Sequence, residues 1–313
     1  MLALVTGGSG FIGSHVVDRL MAHGLDVRVF DMVYPRHRKD IEFYQGSILD
    51  LEALGMALMD VDVVFHLAAV ADVKDVFEAP YYAESINVRG TINVLEAARR
   101  AQVKRVIYGS TTWVYSDVQE TTVDEATPLS APSHLYTATK IAGEYYGRSY
   151  SNLYGIEVTI LRYGIPYGPR ARDGAVIPIF VRKALNGEPL TIAGDGSQFR
   201  KFVYVEDLAE GNVLALKKVA ANRTYNLDGN RKISIREIAE TIADLLGNVK
   251  IEYTPARPGD FGGKEISSQQ AKGELGWEPV TDFREGLRRY IDWYREREAR
   301  RAKEWARLDG ELK

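Results

Sequence analysis

Tyr136 and Lys140 stand four residues apart in Tyr136-Thr137-Ala138-Thr139-Lys140. On a helix that spacing puts both side chains on one face, one turn apart. An ordinary tyrosine titrates near ~10, so about a thousandth of it is ionised at neutral pH. A neighbouring ammonium favours the phenolate, as does any other positive charge brought alongside. Lowering the pKa by ~3 units takes about 4 kcal/mol of differential stabilisation. The chemistry predicted for such a pair is a general base that removes a hydroxyl proton while hydride leaves the same carbon. The spacing alone is common by chance in a chain with 18 tyrosines, and an exposed helix surface is the competing reading. What strengthens it is Gly109-Ser110-Thr111-Thr112 at the end of a predicted strand. Hydroxyls at the carboxyl end of a parallel strand lie where such sheets take their ligands.

A second constellation opens the chain. In Thr6-Gly7-Gly8-Ser9-Gly10-Phe11-Ile12-Gly13 the glycines at 7, 10 and 13 join a predicted strand to a predicted helix. One permits the tight turn, one lets a pyrophosphate approach the backbone, and one lets the helix pack on the strand. The helix start offers unpaired N–H groups and a partial positive charge to phosphates. Asp31 follows 18 residues after Gly13, at the end of Val27-Arg28-Val29-Phe30-Asp31. A carboxylate there accepts hydrogen bonds from an adenosine ribose, and a loop aspartate closing a turn is the bland alternative. Together these features predict dinucleotide binding. The carboxylate argues for NAD over NADP because it repels a ribose phosphate. The basic run Arg36-His37-Arg38-Lys39 could attract one, and reads otherwise as a solvated loop.

The elements that must position these groups alternate. Short β-branched runs fall at 2–6, 26–31, 61–67, 103–109 and 156–162, with helical patterns at about 12–23, 51–59, 79–101 and 136–153. That rhythm predicts a parallel sheet with helices on both faces. Beyond about residue 165 proline and glycine become frequent. A helix is expected over 176–186, strands over 190–193 and 201–205, and a helix from the capping box Ser234-Ile235-Arg236-Glu237 to about Leu246. A long charged helix is expected from Asp282 on, with Leu287, Tyr290, Ile291 and Tyr294 along one side.

Composition narrows the possibilities. The 313 residues suit one large α/β unit with a smaller lobe, and a net charge of −3 leaves no footprint for nucleic acid or acidic membranes. With 0 cysteines, thiolate catalysis, disulfides and zinc–thiolate sites are excluded. No apolar stretch is long enough to span a bilayer and no secretory leader is legible, so a cytoplasmic location is expected.

Taken together, these stretches resemble the extended short-chain dehydrogenases/reductases of the nucleotide-sugar epimerase/dehydratase family. The similarity runs along essentially the whole chain. Besides those already quoted it rests on His66-Leu67-Ala68-Ala69, Asn87-Val88-Arg89-Gly90-Thr91, Leu161 to Arg170, Gly194-Asp195-Gly196-Ser197-Gln198, Phe202 to Asp207 and Arg257-Pro258-Gly259-Asp260. The resemblance implies an NAD(P)-binding Rossmann fold: a doubly wound parallel sheet over 1–165 plus about 202–227. It also implies a smaller α/β substrate-binding lobe over about 166–201 and 228–280, and a C-terminal helix over 281–313. It makes Tyr136 the base, Lys140 its pKa-lowering partner and ribose ligand, and Thr111 the hydroxyl beside the reacting oxygen. Around NAD it places Gly7, Gly10, Phe11, Ile12, Gly13, Asp31, Ser47, Ile48, Leu67, Ala68, Ala69, Asn87, Ser110 and Tyr163. Asn87 has a second reading, as a tie between a helix and a loop, and His66 reads as a packed strand residue. Around the nucleotide sugar it places Thr111, Thr112, Ile165, Ala175, Val176, Arg200, Arg257 and Asp260, with Leu190, Thr191 and Ile192 against the base. Relatives dimerise through the helices corresponding to 79–101 and 136–153, which implies a homodimer.

Three positions depart from the family pattern: Ile165 and Ala175 replace asparagines that touch diphosphate or sugar, and Ser47 replaces an acidic residue near adenine. Dehydratases of the family carry an Asp-Glu pair right after the threonine, where this chain has Thr112 and Trp113. Neither can do acid–base work, so elimination is disfavoured. The resemblance then points to redox epimerisation at carbon 4 of UDP-glucose or UDP-galactose, through a 4-keto sugar. A UDP-uronate or UDP-N-acetylhexosamine as substrate is the alternative, and Lys264 could favour a carboxylate. A nucleotide-sugar reductase or dehydrogenase, or a non-catalytic NAD-sensing protein, complete the alternatives.

Overall fold

The computed structural model describes residues 1–247, 249–255 and 264–311. Seven parallel strands form the central sheet. In chain order the first five are β1 (Leu2–Thr6), β2 (Asp26–Asp31), β3 (Glu42–Gln45), β4 (Val63–His66) and β5 (Arg105–Thr111). Glu157–Tyr163 and Thr224–Leu227 complete it, so that the order across the sheet is Thr224–Leu227, Glu157–Tyr163, β5, β4, β1, β2, β3. The chain winds outward in both directions from the β1/β4 junction, and that reversal opens a crevice at the strands' carboxyl ends.

The apolar runs are continuous because both faces are covered. Ala3, Val5, Val27 and Val29 enter one core with Val16, Val17 and Leu20 of helix α1 (Phe11–Ala22). Their neighbours Leu4, Phe30 and Val64 enter a second core with Leu54, Val94 and Leu95. Each fully buried side chain of this size contributes roughly 1.5–3 kcal/mol. A third core lies away from the sheet. It holds helices Val176–Leu185 and Ile235–Leu246 and the strands Leu190–Ala193 and Phe199–Tyr204. Leu287, Tyr290, Ile291 and Tyr294, predicted on one side of the last helix, are all buried in it.

Several elements differ from their sequence signals. The expected helix over 79–101 is three pieces: Pro80–Glu84, a π-helical turn Ser85–Arg89, and Gly90–Arg100. The wider turn lets Ile48 press onto Gly90, where a Cβ would meet its side chain at 2.4 Å. Strands Glu42–Gln45, Ile165–Tyr167 and Thr224–Leu227 had no sequence signal of their own. Each is short; Glu42–Gln45 is a half-exposed edge strand beside β2, and the other two pair with strands far away in the chain. The Ser234 hydroxyl caps its helix by accepting from the Glu237 N–H at 3.0 Å, but the Glu237 carboxylate turns to Arg231 rather than completing the box.

Candidate active site

The glycine turn leaves β1 with Gly7 at φ +73°, and a Cβ on Gly7 would lie 2.7 Å from the Ala68 nitrogen. Gly13 is tighter still, 2.1 Å from the Gly7 carbonyl, whereas Gly10 meets nothing nearer than 3.2 Å. Gly7 and Gly13 thus close the turn against the loop after β4, and Gly10 keeps its outer face open. Helix α1 starts there with no side-chain cap, so the first-turn N–H groups of Phe11, Ile12 and Gly13 lack intrahelical acceptors. Asp31 accepts from the Ser9 N–H at 3.0 Å and from the Val33 N–H at 3.1 Å, which fixes its carboxylate beside the turn. Within the basic run, Arg38 is tied to Asp18 and Asp40, both at 2.9 Å, so its guanidinium is already engaged. An open backbone cradle with a carboxylate at its side fits the pyrophosphate and ribose of NAD.

The remaining cofactor candidates divide by what they face. Leu67 and Ala68 follow β4 directly beside the turn, held by Thr6 at 3.1 and 3.4 Å, with Ala69 next in the loop. His66 is a packed strand residue, its ring nitrogens engaged by the Thr6 and Thr91 hydroxyls at 2.8 and 3.0 Å. Asn87 ties helix to loop: it brackets the backbone of Val70 at 2.8 and 2.9 Å and donates to the Thr139 hydroxyl at 3.0 Å. Ser47 stays at the loop surface, its hydroxyl accepting from the Leu49 N–H at 3.2 Å. Two expectations need correction. The Ile48 side chain is in the core, and the Tyr163 hydroxyl donates to Asn212 at 2.6 Å inside the fold. Only the backbone of either residue could serve the cofactor.

At the end of β5 the Thr111 side chain lies close enough to the Tyr136 hydroxyl to favour its ionised form. Tyr136 opens the helix Leu135–Tyr154, and Lys140 and Glu144 follow on the same face. Lys140 is buried, its ammonium 4.3 Å above the Tyr108 ring. Ser110 donates to the Glu144 carboxylate at 2.6 Å, so it supports the helix from beneath. The acidic phenol expected from Tyr136 and Lys140 is not a property of the ligand-free protein. Burial pushes the Tyr136 phenol up to about 12, against smaller opposing effects from Arg172 and Thr111. Burial also pushes Lys140 down to about 7, although Glu144 favours its charged form. Both groups lose hydration together, and a lysine titrating near 7 is neutral by the pH at which this phenol ionises. A further positive charge is required to acidify it.

Two cavities extend from this centre. One, of about 490 Å³, begins at Thr112, Trp113 and His134, beside Thr111 and Tyr136, and runs to Lys201, Asp228 and Lys264. The other, of about 480 Å³, is walled by Ala175, Val176, Thr191 and Gln198. Ile165 and Arg200 line both and so mark the junction. The helix Val176–Leu185 begins at Ala175 without a side-chain cap, leaving its first N–H groups to the second cavity. Of the three residues expected against the base only Thr191 lines it; Leu190 and Ile192 are fully buried in the third core. Lys264 reaches the first cavity, but its ammonium is held by the carbonyls of Val118 and Glu120. Arg257 and Asp260 lie outside the described residues. Sequence reasoning missed Asp228, Lys201 and the Glu144–Arg162 pair, because nothing in local spacing brings them to the site.

A family model for the NAD dependent epimerase/dehydratase family matches residues 3–228. The chain belongs to that family. It is 36% identical over 302 residues to a Methanocaldococcus jannaschii protein provisionally named UDP-glucose 4-epimerase, covering 93% of this chain and 98% of that one. It is 32% identical over 311 residues to the UDP-glucuronate 4-epimerase of Thermodesulfobacterium geofontis, covering 94% and 96%. Among solved structures, the Thermotoga maritima UDP-glucose 4-epimerase with UDP-glucose superposes with a TM-score of 0.88 at 33% identity, covering 95% and 99%. As a member of this epimerase/dehydratase family the chain is an NAD-dependent α/β enzyme of nucleotide-sugar chemistry. Among its described residues, no helix is long and apolar enough to cross a membrane.

Proposed function

We propose that this enzyme epimerises carbon 4 of a nucleotide-activated sugar, with UDP-glucose and UDP-galactose as the foremost substrates. The observation that carries the reading is that Tyr136 and Thr111 stand together, next in the chain to a cavity lined by Thr112 and Trp113. That centre has a proton acceptor and a hydroxyl to hold the reacting oxygen. It has no carboxylate at the two positions where elimination of water would need one. The family likeness to 4-epimerases is consistent with this and includes relatives that act on other UDP-sugars.

NAD, held by the glycine turn and Asp31, would supply the hydride acceptor and donor and, when oxidised, a positive charge that favours the phenolate. Tyr136 takes the proton of the sugar's 4-hydroxyl and later returns one to the 4-keto oxygen, with Thr111 holding that oxygen in reach. Lys140, one helical turn beyond Tyr136, would bind the cofactor ribose and keep the phenol in register. Arg200 at the junction of the cavities suits the diphosphate, since a guanidinium pairs bidentately with phosphate oxygens. The second cavity then takes the nucleotide, and the first the sugar. For the test, the protein is incubated with NAD and each of UDP-glucose, UDP-galactose, UDP-glucuronate and UDP-N-acetylglucosamine, and the sugar protons are followed by NMR. Appearance of the 4-epimer supports the reading; no epimer from any of the four refutes it.

The same reading includes a homodimer. Phe77, Tyr81 and Leu153 are 77%, 91% and 73% exposed, and Tyr145 and Tyr154 are exposed on the Leu135–Tyr154 helix. Large apolar groups on three neighbouring helices, Val73–Glu78, Pro80–Glu84 and Leu135–Tyr154, suit burial against the same helices of a second copy.

A further inference from the structure

Two aromatic rings meet beside the catalytic centre, each two positions in the chain from one of its residues. Trp113 follows Thr111, and His134 precedes Tyr136. Their ring centroids are 5.9 Å apart with the planes at 64°, an edge-to-face contact, and both residues line the first cavity. The two elements that carry the reacting groups thus also bring an aromatic pair to the sugar site.

The indole stands on a fixed backbone. Thr112–Tyr115 form a single tight helical turn, in which the Trp113 N–H donates to the Thr111 side-chain oxygen at 3.2 Å. The Trp113 carbonyl accepts from the Ser116 N–H at 2.9 Å. Val114 and Tyr115, next along the turn, are buried, and Arg162 donates to the Tyr115 hydroxyl at 2.5 Å. On the other side the His134 carbonyl accepts from the Ala138 N–H at 3.0 Å, which ties it to the helix of Tyr136. Trp113 nevertheless stays 38% exposed. Its companions on the cavity wall include Val73, Ile165 and Ile266, whose side chains offer no hydrogen bond.

We propose that Trp113, braced by His134, is a sugar-binding platform: the indole lies against the C–H groups of the pyranose in either of the two orientations that carbon 4 must present to the cofactor. This rests on the reading that the first cavity takes the sugar of a nucleotide sugar. A pyranose carries hydroxyls around its rim and C–H groups on its two faces, so an aromatic ring removes from water the area that a polar wall leaves wet. Apolar burial and dispersion have no direction, so the platform serves whichever face is turned to it. Redox epimerisation requires that tolerance, because hydride leaves one face of carbon 4 and returns to the other. A wall of fixed donors and acceptors would fit one orientation and leave polar groups unpaired in the second.

The test measures Kd by calorimetry for UDP, UDP-glucose and UDP-galactose on the NAD-loaded protein. It uses a Tyr136→Phe background so that no turnover intervenes. Adding Trp113→Ala is expected to weaken both sugar nucleotides roughly fivefold or more, with UDP affinity unchanged within about twofold. The two losses should agree within about threefold, since the platform favours neither face. Trp113→Phe, which keeps a ring, is expected to recover most of the affinity. Unchanged sugar-nucleotide affinities in Trp113→Ala, an equal loss for UDP, a loss confined to one epimer, or a Phe variant as weak as the Ala variant each overturn the proposal. If both losses appear while the NMR panel gives no epimer, the epimerase reading fails and the platform stands. Epimer formed with affinities unmoved in Trp113→Ala keeps that reading and removes the platform.

Discussion

Arg162 grips Glu144 through two hydrogen bonds of 2.9 and 2.7 Å, joining the strand Glu157–Tyr163 to the helix that carries Tyr136 and Lys140. Both side chains are 3% exposed. Ser110 donates to the same carboxylate, and Arg162 also donates to the Tyr115 hydroxyl at 2.5 Å. Removing one partner leaves an uncompensated buried charge, which costs about 3–5 kcal/mol. Arg162→Met and Glu144→Leu are each expected to lower the free energy of unfolding, read from urea titration, by an amount of that order. The double variant Arg162→Met with Glu144→Leu is expected to recover much of the loss, because a buried ion pair and an apolar pair are close in net energy. Losses that simply add would refute the coupling.

Lys140 makes stability depend on pH. Its folded pKa of about 7 lies below the ordinary 10.5, so between those values the unfolded chain binds more protons than the folded one. Stability therefore rises with pH through that window, by up to roughly 4–5 kcal/mol from this group alone. Urea unfolding of cofactor-free protein at pH 7 and pH 9 is expected to show the rise, and Lys140→Met to remove it. A pH dependence that survives the substitution would assign it elsewhere.

Tyr136→Phe keeps the ring and removes the transferable proton. Turnover is expected to fall about 10²–10⁴-fold, the usual share of general acid–base catalysis. NAD affinity should stay within a fewfold. Single-turnover kinetics with UDP-galactose reads the first quantity and cofactor fluorescence the second. Retained turnover would remove the phenol from the mechanism.

We propose that Asp31 sets the choice between NAD and NADP. Asp31→Ala removes the carboxylate and also the acceptor for the Ser9 and Val33 N–H groups. A hydrogen bond to a charged group is worth about 1.5–3 kcal/mol, so NAD affinity is expected to drop roughly ten- to a hundredfold. The ratio of NAD to NADP affinity should fall with it. An unchanged ratio would mean that the carboxylate does not face the ribose.

Replacing Tyr81 and Leu153 with glutamate puts charge on two of the three helices. Light scattering is expected to give twice the chain mass of 35.0 kDa for the parent and one chain mass for the double variant. A parent that is already monomeric refutes the dimer.

The parallel α/β fold was legible in the sequence because β-branched runs and helical patterns alternate and the central strands are buried on both faces. So was the glycine turn, since Gly7, Gly10, Gly13 and Asp31 act within one βαβ unit. The Tyr136–Lys140 spacing was legible because a helix fixes it locally. Their titration was not: desolvation belongs to the assembled site, and it left Tyr136 less acidic than spacing alone predicts. Alternation along Leu190–Ala193 left open which face meets the nucleotide, and packing of the third core turned Leu190 and Ile192 inward. Trp113 and His134 acquire meaning together only where the turn after β5 meets the start of the Leu135–Tyr154 helix. Local periodicity determined the long strands and helices, whereas contacts between distant segments decided the short strands and which residues line the cavities. Burial and charge depend on neighbours in space, and those neighbours exist only once the chain has folded.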